Sequence, residues 1–334
     1  MRLLAYGDLQ INFHRSDYMN YLAQTLSALC TEIRNRRPSI VVNLGDTFDT
    51  FGVIGARELV FAKEWMTRVE SAMGPNGTHI VLLGNHDVGG PGVSAIEVFE
   101  STVTHVVMRP QRVVIDGTRI GLLPYDKDIE NVRAALPGLG PLDIAFGHVD
   151  WIGPRLTPTC SSESGLDPSE WEKLYPGVIV MNGHYHTPQY RPPIYCVGAP
   201  LFMDFSDANS EIARGFALWE DGKLAQIPNP HTFRLARIET DSESELRTKL
   251  EKLGKETKVR VACPRHLIPV VEEYREKLLW CRVSPSDTLV ARRMESMDIK
   301  LTSSAQEAID EAIRDVQGFE MERLRAVGQE VFGL

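Results

Sequence analysis

Five short apolar runs in this sequence each end in a glycine that is followed at once by a side chain able to bind a metal ion. The five pairs, in chain order, are Gly7-Asp8, Gly45-Asp46, Gly84-Asn85, Gly147-His148 and Gly183-His184. Ligand sites form at the carboxyl ends of strands in open α/β sheets, and glycine lets the backbone turn sharply there. One such pair is usually only a turn. Five in succession predict strands whose ends meet at one site.

The apolar pattern around these pairs predicts alternating strands and helices. Residues 39–44, 78–83 and 177–181 are short β-type runs and predict buried strands. Apolar residues recur at helical spacing from Leu22 to Ile33, and Val60–Met66 indicates a second helix. This alternation predicts an α/β fold.

The pattern changes near residue 228. Residues 215–219 and 223–225 predict a hairpin, and the prolines at 228 and 230 exclude regular structure between them. The segment that follows predicts a small α+β unit, with strands at 233–238, 259–262 and 279–283, a helix at 246–253 and a second helix to about Lys277. Two further helical patterns, split at Gly318, lie within residues 303–332. We therefore predict three parts: 1–228, 229–295 and a helical tail at 296–334.

Composition limits the class of protein. No apolar run approaches the ~18 residues that a membrane span needs, and the N-terminus shows no secretory signal pattern. The five cysteines are widely spaced without a CxxC pair, which favours reduced thiols and a cytoplasmic location. The net charge of −9 argues against coating of nucleic acid, but bound metal ions and a local basic patch would still permit a nuclease.

The candidate ligands form a mixed oxygen and nitrogen set. The seven residues are Asp8, Gln10, Asp46, Asn85, His148, His184 and His186. Such a set suits manganese, iron or zinc better than calcium or copper. Seven ligands are too many for one transition-metal ion and about right for two ions that share a bridging carboxylate.

With Gly84-Asn85-His86-Asp87 and Gly183-His184-Tyr185-His186, the ordered motifs resemble the calcineurin-like metallophosphoesterase superfamily over roughly residues 1–220. The resemblance implies an α/β fold with a two-sheet sandwich flanked by helices and a dinuclear centre at one end of the sheets. It implies the following roles: Asp8, Gln10 and His186 hold one ion, Asn85, His148 and His184 hold the other, Asp46 bridges both, His86 faces the scissile phosphate, and Asp87 orients a neighbouring imidazole.

Gln10 departs from the superfamily pattern, which has histidine at this position. The amide oxygen of glutamine reaches about as far as the outer nitrogen of histidine and can donate a lone pair. The exchange keeps the charge of the site but weakens one ligand, and it favours manganese or magnesium over zinc. We expect a modified but working site.

Three further segments resemble SbcD-type DNA repair nucleases: residues 164–168, 197–200 and 214–216. This resemblance implies a manganese-dependent DNA exonuclease or endonuclease of repair and recombination, with Mg²⁺, Fe²⁺ or Zn²⁺ as other metals. It also implies that 229–295 is a capping domain that orients DNA. It further implies that the protein forms a homodimer and that its helical tail binds an SMC-like ATPase. Compact phage-type versions of these nucleases are of similar length, and if this chain is one of them, we expect it in the host cytoplasm.

Several alternatives remain at the level of the sequence. The protein could be another hydrolase of the superfamily that acts on nucleotides or phosphoproteins. It could also be a non-catalytic assembly subunit whose metal site is degenerate at Gln10. The tail helices could pack on their own domain. The helix around Val60–Met66 could form a dimer interface or could simply pack in the core.

Overall fold

The computed structural model describes residues 1–49, 53–90, 93–157 and 160–285. The predicted tail at 296–334, and the end of the predicted second domain beyond residue 285, lie outside these residues. Among the described helices, none combines the length and the apolar character needed to cross a membrane.

Strands and α-helices alternate from β1 to β3, and strands predominate in the rest of the described chain. The strands are β1 (Arg2–Tyr6), β2 (Ile40–Asn43), β3 (Thr78–Leu82), β4 (Val88–Gly90), β5 (Val93–Ser94), β6 (Thr104–Val107), β7 (Gln111–Ile115), β8 (Thr118–Leu123), β9 (Ile144–Gly147), β10 (Arg155–Thr157), β11 (Cys160–Ser161), β12 (Val180–Asn182), β13 (Gln189–Arg191), β14 (Ile194–Cys196), β15 (Gly215–Glu220), β16 (Lys223–Pro228), β17 (Arg234–Glu239), β18 (Thr257–Cys263) and β19 (Trp280–Pro285). The helices are α1 (Ser16–Arg36), α2 (Ala56–Met73), α3 (Ile129–Ala135), α4 (Pro168–Leu174), α5 (Glu243–Glu251) and α6 (Ile268–Glu272).

Two six-stranded sheets form the larger part of the molecule. The first has the order β16-β15-β1-β2-β3-β6, and the second has the order β13-β14-β12-β9-β8-β7. The strands β1, β2, β3 and β6 are parallel, as are β8, β9, β12 and β14. The antiparallel strands lie towards the edges of the sheets.

Alternation along the strands explains how the layers pack. In β1, Leu3 and Ala5 face the second sheet and share a buried cluster with Phe146 of β9. The intervening Leu4 and Tyr6 belong to the cluster that includes α1 and α2. Successive side chains point to opposite faces of a strand, and every residue of β1 after Arg2 is buried, so this strand is covered on both faces. The predicted two-sheet α/β sandwich flanked by helices is confirmed.

A third sheet, β17-β18-β19, is parallel and has its own apolar cluster with α5 and α6. It lies against α1, where the rings of Tyr21 and Phe233 pack edge to face with centroids 5.1 Å apart. Lys258 Nζ lies 3.8 Å from the carboxylate of Asp17, and the Tyr21 hydroxyl donates to Glu256. This unit is therefore held beside the N-terminal half of α1.

Three local predictions are corrected by the structure. The strand expected at 177–181 begins only at Val180. Pro228 is the last residue of β16 instead of a break, which an edge strand tolerates because its outer N–H groups need no partner in the sheet. The helix expected to reach Lys277 is regular only over Ile268–Glu272, since the chain turns back within a few residues to begin β19 beside β18.

Candidate metal centre

The loops that carry the predicted ligands have an unusual backbone. Asp8, Gln10, Asp46 and His184 have φ values of 50°, 45°, 51° and 69°. Side chains other than glycine rarely adopt this left-handed conformation, and each instance costs ~1–3 kcal/mol. The loops after β1 and β2 are nevertheless pinned together, because the N–H of Asp8 donates to Gly45 O at 2.9 Å and that of Gln10 to Asp46 O at 3.0 Å. Such strain is concentrated at functional sites.

Two of the motif glycines are required by close contacts. A Cβ at Gly84 would overlap the backbone nitrogen and the carboxylate of Asp46, and one at Gly45 would lie 2.6 Å from His148 Nδ1. Gly45 also has φ of 102°. The glycines in these pairs therefore let the ligand loops approach one another.

Four of the predicted ligands converge on one point. The ligand atoms of Asp46, His148 and His184 all lie within 4.8 Å of one another. Asn85 Oδ1 is 2.9 Å from His148 Nε2 and 3.0 Å from His184 Nδ1. Asp46 Oδ1 is 3.3 Å from His148 Nε2. These residues follow β2, β3, β9 and β12, so both sheets contribute to the cluster.

The other three predicted ligands lie beside this cluster. Gln10 Nε2 is 3.1 Å from His186 Nε2, and Gln10 is almost fully buried. Asp8 Oδ1 accepts a hydrogen bond from the backbone N–H of His184 at 3.0 Å. The structure therefore brings all seven predicted side chains to the ends of the two sheets.

Two of the imidazoles are oriented by hydrogen bonds on the ring nitrogen that faces away from the cluster. His148 Nδ1 donates to Leu44 O at 2.7 Å, which directs Nε2 to Asp46 and Asn85. His184 Nε2 donates to Asp150 Oδ1 at 2.8 Å, which directs Nδ1 inward. Asp150 was not predicted from the sequence. Its only signal was its place two residues after His148.

His86 lies next to the cluster and contacts two carboxylates. Its backbone N–H donates to Asp46 Oδ1 at 2.9 Å, and its ring Nε2 is 3.9 Å from Asp46 Oδ2. Ring Nδ1 is 3.3 Å from Asp49 Oδ1. Asp49 was also missed as a functional residue, although it is part of the Gly45–Asp49 stretch that carries Asp46.

Asp87 is buried beneath the loops. Its carboxylate accepts hydrogen bonds from the N–H groups of Gly84 at 3.0 Å, Phe48 at 3.0 Å and Thr47 at 3.3 Å. It thereby ties the loop after β2 to the loop after β3. Within the described part of the chain these contacts are to the backbone, and the predicted role of Asp87 in orienting an imidazole stays a prediction.

A family model of the calcineurin-like phosphoesterases matches residues 1–210, which contain all of these ligands. The chain belongs to this family. The superfamily predicted from the motifs is thus confirmed, whereas the SbcD-type subfamily stays a prediction.

Solved structures that resemble this phosphoesterase do so at low identity. A novel archaeal phosphodiesterase is 12% identical, with 68% of this chain and 99% of that chain covered and a TM-score of 0.37. The phosphoesterase Yfce from E. coli is 14% identical, with 69% and 94% covered and a TM-score of 0.34. GAP50, the anchor in the inner membrane complex of Plasmodium, is 13% identical, with 70% and 90% covered and a TM-score of 0.41. No curated protein matches the chain.

The charges of the phosphoesterase site favour a cation. Burial would lower the pKa of His148, but the carboxylates of Asp46 and Asp8 raise it to about 9. Burial would raise the pKa of Asp46, but the imidazoles of His148 and His86 lower it to about 2. Burial and the charge of Asp46 raise the pKa of Asp87 to about 7. The same negative potential that keeps a proton on His148 would attract a divalent ion.

The residues present fit a metal ion. Asp8 Oδ2 is buried and has no hydrogen-bond donor among the described residues. A buried carboxylate oxygen without a donor is costly unless a cation neutralises it. Together with the carboxylate, amide and imidazole donors around it, this atom makes the cluster a suitable site for a divalent transition metal.

Among the described residues, two clefts contain predicted ligands of this site. The first, which we call the apolar cleft, has a volume of about 790 Å³ and is lined by Asn85 together with Val88, Met108, Arg109 and Tyr125. The second, which we call the cap cleft, has a volume of about 670 Å³ and lies between the start of α1, the loop around Phe205 and the third sheet. It is lined by Gln10, Arg15, His186, Phe205, Lys258, Arg260 and Trp280, among others. Each cleft thus contains at least one predicted metal ligand.

Proposed function

We propose that this phosphoesterase is a metal-dependent phosphodiesterase that hydrolyses DNA and serves as the nuclease subunit of an SbcCD-like repair complex. The observation that supports this proposal best is the pair of clefts. One reaches the cluster at Asn85 and the other reaches it at Gln10 and His186. A phosphodiester carries a group on each side of phosphorus, so a site open in two directions suits it better than a monoester.

Seven side chains would hold the metal ions, which we propose are two in number and Mn²⁺ by preference. Asp8, Gln10 and His186 would bind one ion, Asn85, His148 and His184 the second, and Asp46 both. When bound, such ions neutralise phosphate charge and lower the pKa of a bound water to near neutrality.

The residues of the chain itself position the substrate and move a proton. His86 lies beside Asp46, and its Nδ1 contacts Asp49, so Nε2 is the ring nitrogen on the side of the cluster. Burial opposes the protonated ring, but Asp49 and Asp46 raise the pKa of His86 above its usual value. His86 would therefore donate a proton from Nε2 to the leaving oxygen.

The test compares two small esters and two forms of DNA. With manganese, the full chain should hydrolyse bis-p-nitrophenyl phosphate faster than p-nitrophenyl phosphate and should degrade linear or circular DNA. Asp46→Asn should abolish this activity and reduce bound metal. His86→Ala should keep its metal and lose turnover, and a variant stripped of metal would contradict the assigned role.

Two other results would favour the alternatives. Preference for p-nitrophenyl phosphate without DNA degradation would indicate a phosphoesterase of nucleotides or phosphoproteins. Absence of metal and of all hydrolysis would indicate a non-catalytic subunit.

The proposed assembly depends on residues outside the described part of the chain. Removal of residues 296–334 should leave a metal-loaded phosphodiesterase that no longer co-purifies with its SMC-like ATPase. An unfolded truncation would show that this segment belongs to the core. The molar mass of the full chain in solution tests the proposed homodimer.

A further inference from the structure

We propose that the cap cleft binds an unpaired nucleic-acid strand, with a base stacked on Trp280 and phosphates contacted by Arg15, Lys258 and Arg260. This inference rests on the proposed function and specifies its substrate as a strand that is single-stranded where it enters the site. The cleft is formed by α1, the loop around Phe205 and the third sheet.

The basic residues of the cleft are held in place by aromatic rings. The Arg260 guanidinium lies 4.2 Å from the centroid of the Phe205 ring. Lys258 Nζ lies 4.6 Å from the centroid of Phe233. A cation packed on a ring keeps its N–H groups directed to the surroundings and loses little freedom on binding an anion.

Arg15 adds a third cation at the start of α1. Its guanidinium lies 4.3 Å from the centroid of Tyr18 and donates to Met203 O at 2.6 Å. Because α1 begins at Ser16, its positive dipole end also points into this region. Asp17 and Asp204 line the cleft as well, and Arg15 Nη1 lies 3.6 Å from Asp49 Oδ2 outside the lining. The lining itself therefore carries more positive than negative side chains, in a chain of net charge −9.

Trp280 supplies the stacking surface. The residue is 36% exposed, and the centroid of its ring lies 5.8 Å from that of Phe205. An aromatic ring inside a cleft can stack on an unpaired base but not on a base in the interior of a duplex, because neighbouring base pairs cover both faces of interior bases. The alternation of cations and exposed aromatic surface is the combination that binds single strands.

The position of the cleft connects this surface to the chemistry. Gln10 and His186, two of the predicted ligands, lie in the same cleft as Trp280 and Arg260. A strand held by the cleft would therefore run directly to the cluster. Its volume of about 670 Å³ is in the range of ~300–1,000 Å³ that accommodates a compact ligand such as one nucleotide.

The first experiment measures binding of fluorescein-labelled oligothymidylate to the full chain by anisotropy, in EDTA to prevent cleavage. Trp280→Ala should weaken binding by roughly 5- to 150-fold, the loss expected for one stacked base. Trp280→Phe should restore most of the affinity, since it keeps a stacking ring and checks that the fold tolerates a change at this position. The matched control is Tyr190→Ala, which removes an exposed aromatic ring outside the cleft and should leave binding unchanged.

The second experiment tests the phosphate contacts through salt dependence. Arg260→Gln should reduce the slope of log K against log salt concentration by about 0.7, the value for one phosphate of a single strand. Lys223→Gln removes an exposed positive charge from β16, outside the cleft, and should not change the slope.

Three results would overturn the proposal: equal binding by Trp280→Ala and Tyr190→Ala, an unchanged slope in Arg260→Gln, or a blunt duplex that binds as tightly as the oligonucleotide. Hydrolysis of bis-p-nitrophenyl phosphate by the wild type separates this proposal from the proposed function. Trp280-dependent binding without such hydrolysis would support the cleft and overturn the nuclease.

Discussion

The Nε2 atom of His184 donates a hydrogen bond to Asp150 Oδ1 at 2.8 Å, so that His184 presents Nδ1 to Asn85 and the rest of the cluster. A carboxylate behind a metal-binding imidazole fixes its tautomer and its orientation.

Asp150→Asn should therefore lower the metal affinity of the site by ~10–100-fold, because the amide is a weaker acceptor than the carboxylate. Isothermal titration of manganese into the metal-free chain measures this change. Asp116→Asn, at a turn position with φ of 49° that asparagine tolerates, is the matched control and should bind metal like the wild type. Equal affinities in both variants would show that Asp150 does not act on the site.

Substitution of the two central carboxylates should have opposite effects on the metal-free protein. Asp8→Asn removes a buried negative charge whose Oδ2 has no donor among the described residues, and should stabilise the metal-free fold by roughly 1–3 kcal/mol. Asp46→Asn weakens contacts with His86 and His148 and should destabilise it. Urea unfolding in EDTA measures both. Destabilisation by Asp8→Asn would mean that its carboxylate is satisfied without metal.

Gln10→His should be tolerated, since the replacement restores a donor of similar reach and equal charge. It should raise the affinity for the ion assigned to Asp8 and His186 and relax the preference for manganese, because imidazole suits zinc and iron better. Gln10→Ala should weaken the binding of that ion and leave the binding of the other ion unchanged. Calorimetric metal titration of the three forms provides the measurement. A wild type that binds one ion, together with a Gln10→His variant that binds two and gains strong nuclease activity, would contradict this expectation. It would show that the natural site is impaired.

Gly84→Ala should reduce both metal binding and stability, because the new Cβ would overlap Asp46 at its backbone nitrogen and carboxylate. The loop after β2 must then shift, which misplaces Asp46, the ligand that we propose both ions share. Gly138→Ala is the control, since a Cβ there meets no atom within 4 Å among the described residues. Thermal unfolding with and without manganese should show loss of the metal-induced stabilisation only in Gly84→Ala.

His79 should make the fold sensitive to acid. It is buried between Tyr6 and Thr104, each at 3.1 Å from a ring nitrogen, and burial lowers its pKa to about 4. The unfolded chain, with a pKa of ~6.5, binds a proton between these values and the native protein does not, so stability falls as pH drops from ~6.5 to 4. This one group contributes a loss of up to roughly 3 kcal/mol.

His79→Gln should remove that part of the pH dependence, whatever its effect on stability at neutral pH. Urea unfolding between pH 4 and 7 provides the measurement. The control is His105→Gln on the neighbouring strand β6, where the side chain is exposed and should contribute little. A pH profile of His79→Gln equal to that of the wild type would contradict the assignment.

Sequence patterns located strands but missed one hairpin for which a signal was present. Strands β7 and β8 are joined by Asp116-Gly117, both with positive φ, and Asp-Gly between apolar runs is a typical hairpin turn. The helix expected before Lys277 was too long, because helical spacing does not record where β19 must begin.

Local patterns in the chain were enough to predict which side chains follow the strand ends, and five of the seven predicted ligands come directly after a glycine there. This was possible because glycine followed by a ligand is a local pattern, and parallel strands bring their carboxyl ends to one edge. The partners of these side chains became visible only in the folded molecule. Asp150 and Asp49 behind His184 and His86, and the cap cleft formed by Arg15, Phe205, Arg260 and Trp280, join residues far apart in the chain or on different elements. Such contacts depend on how the two large sheets, α1 and the third sheet pack against one another. The packing of these layers is determined by the sum of many apolar contacts, which no local pattern encodes.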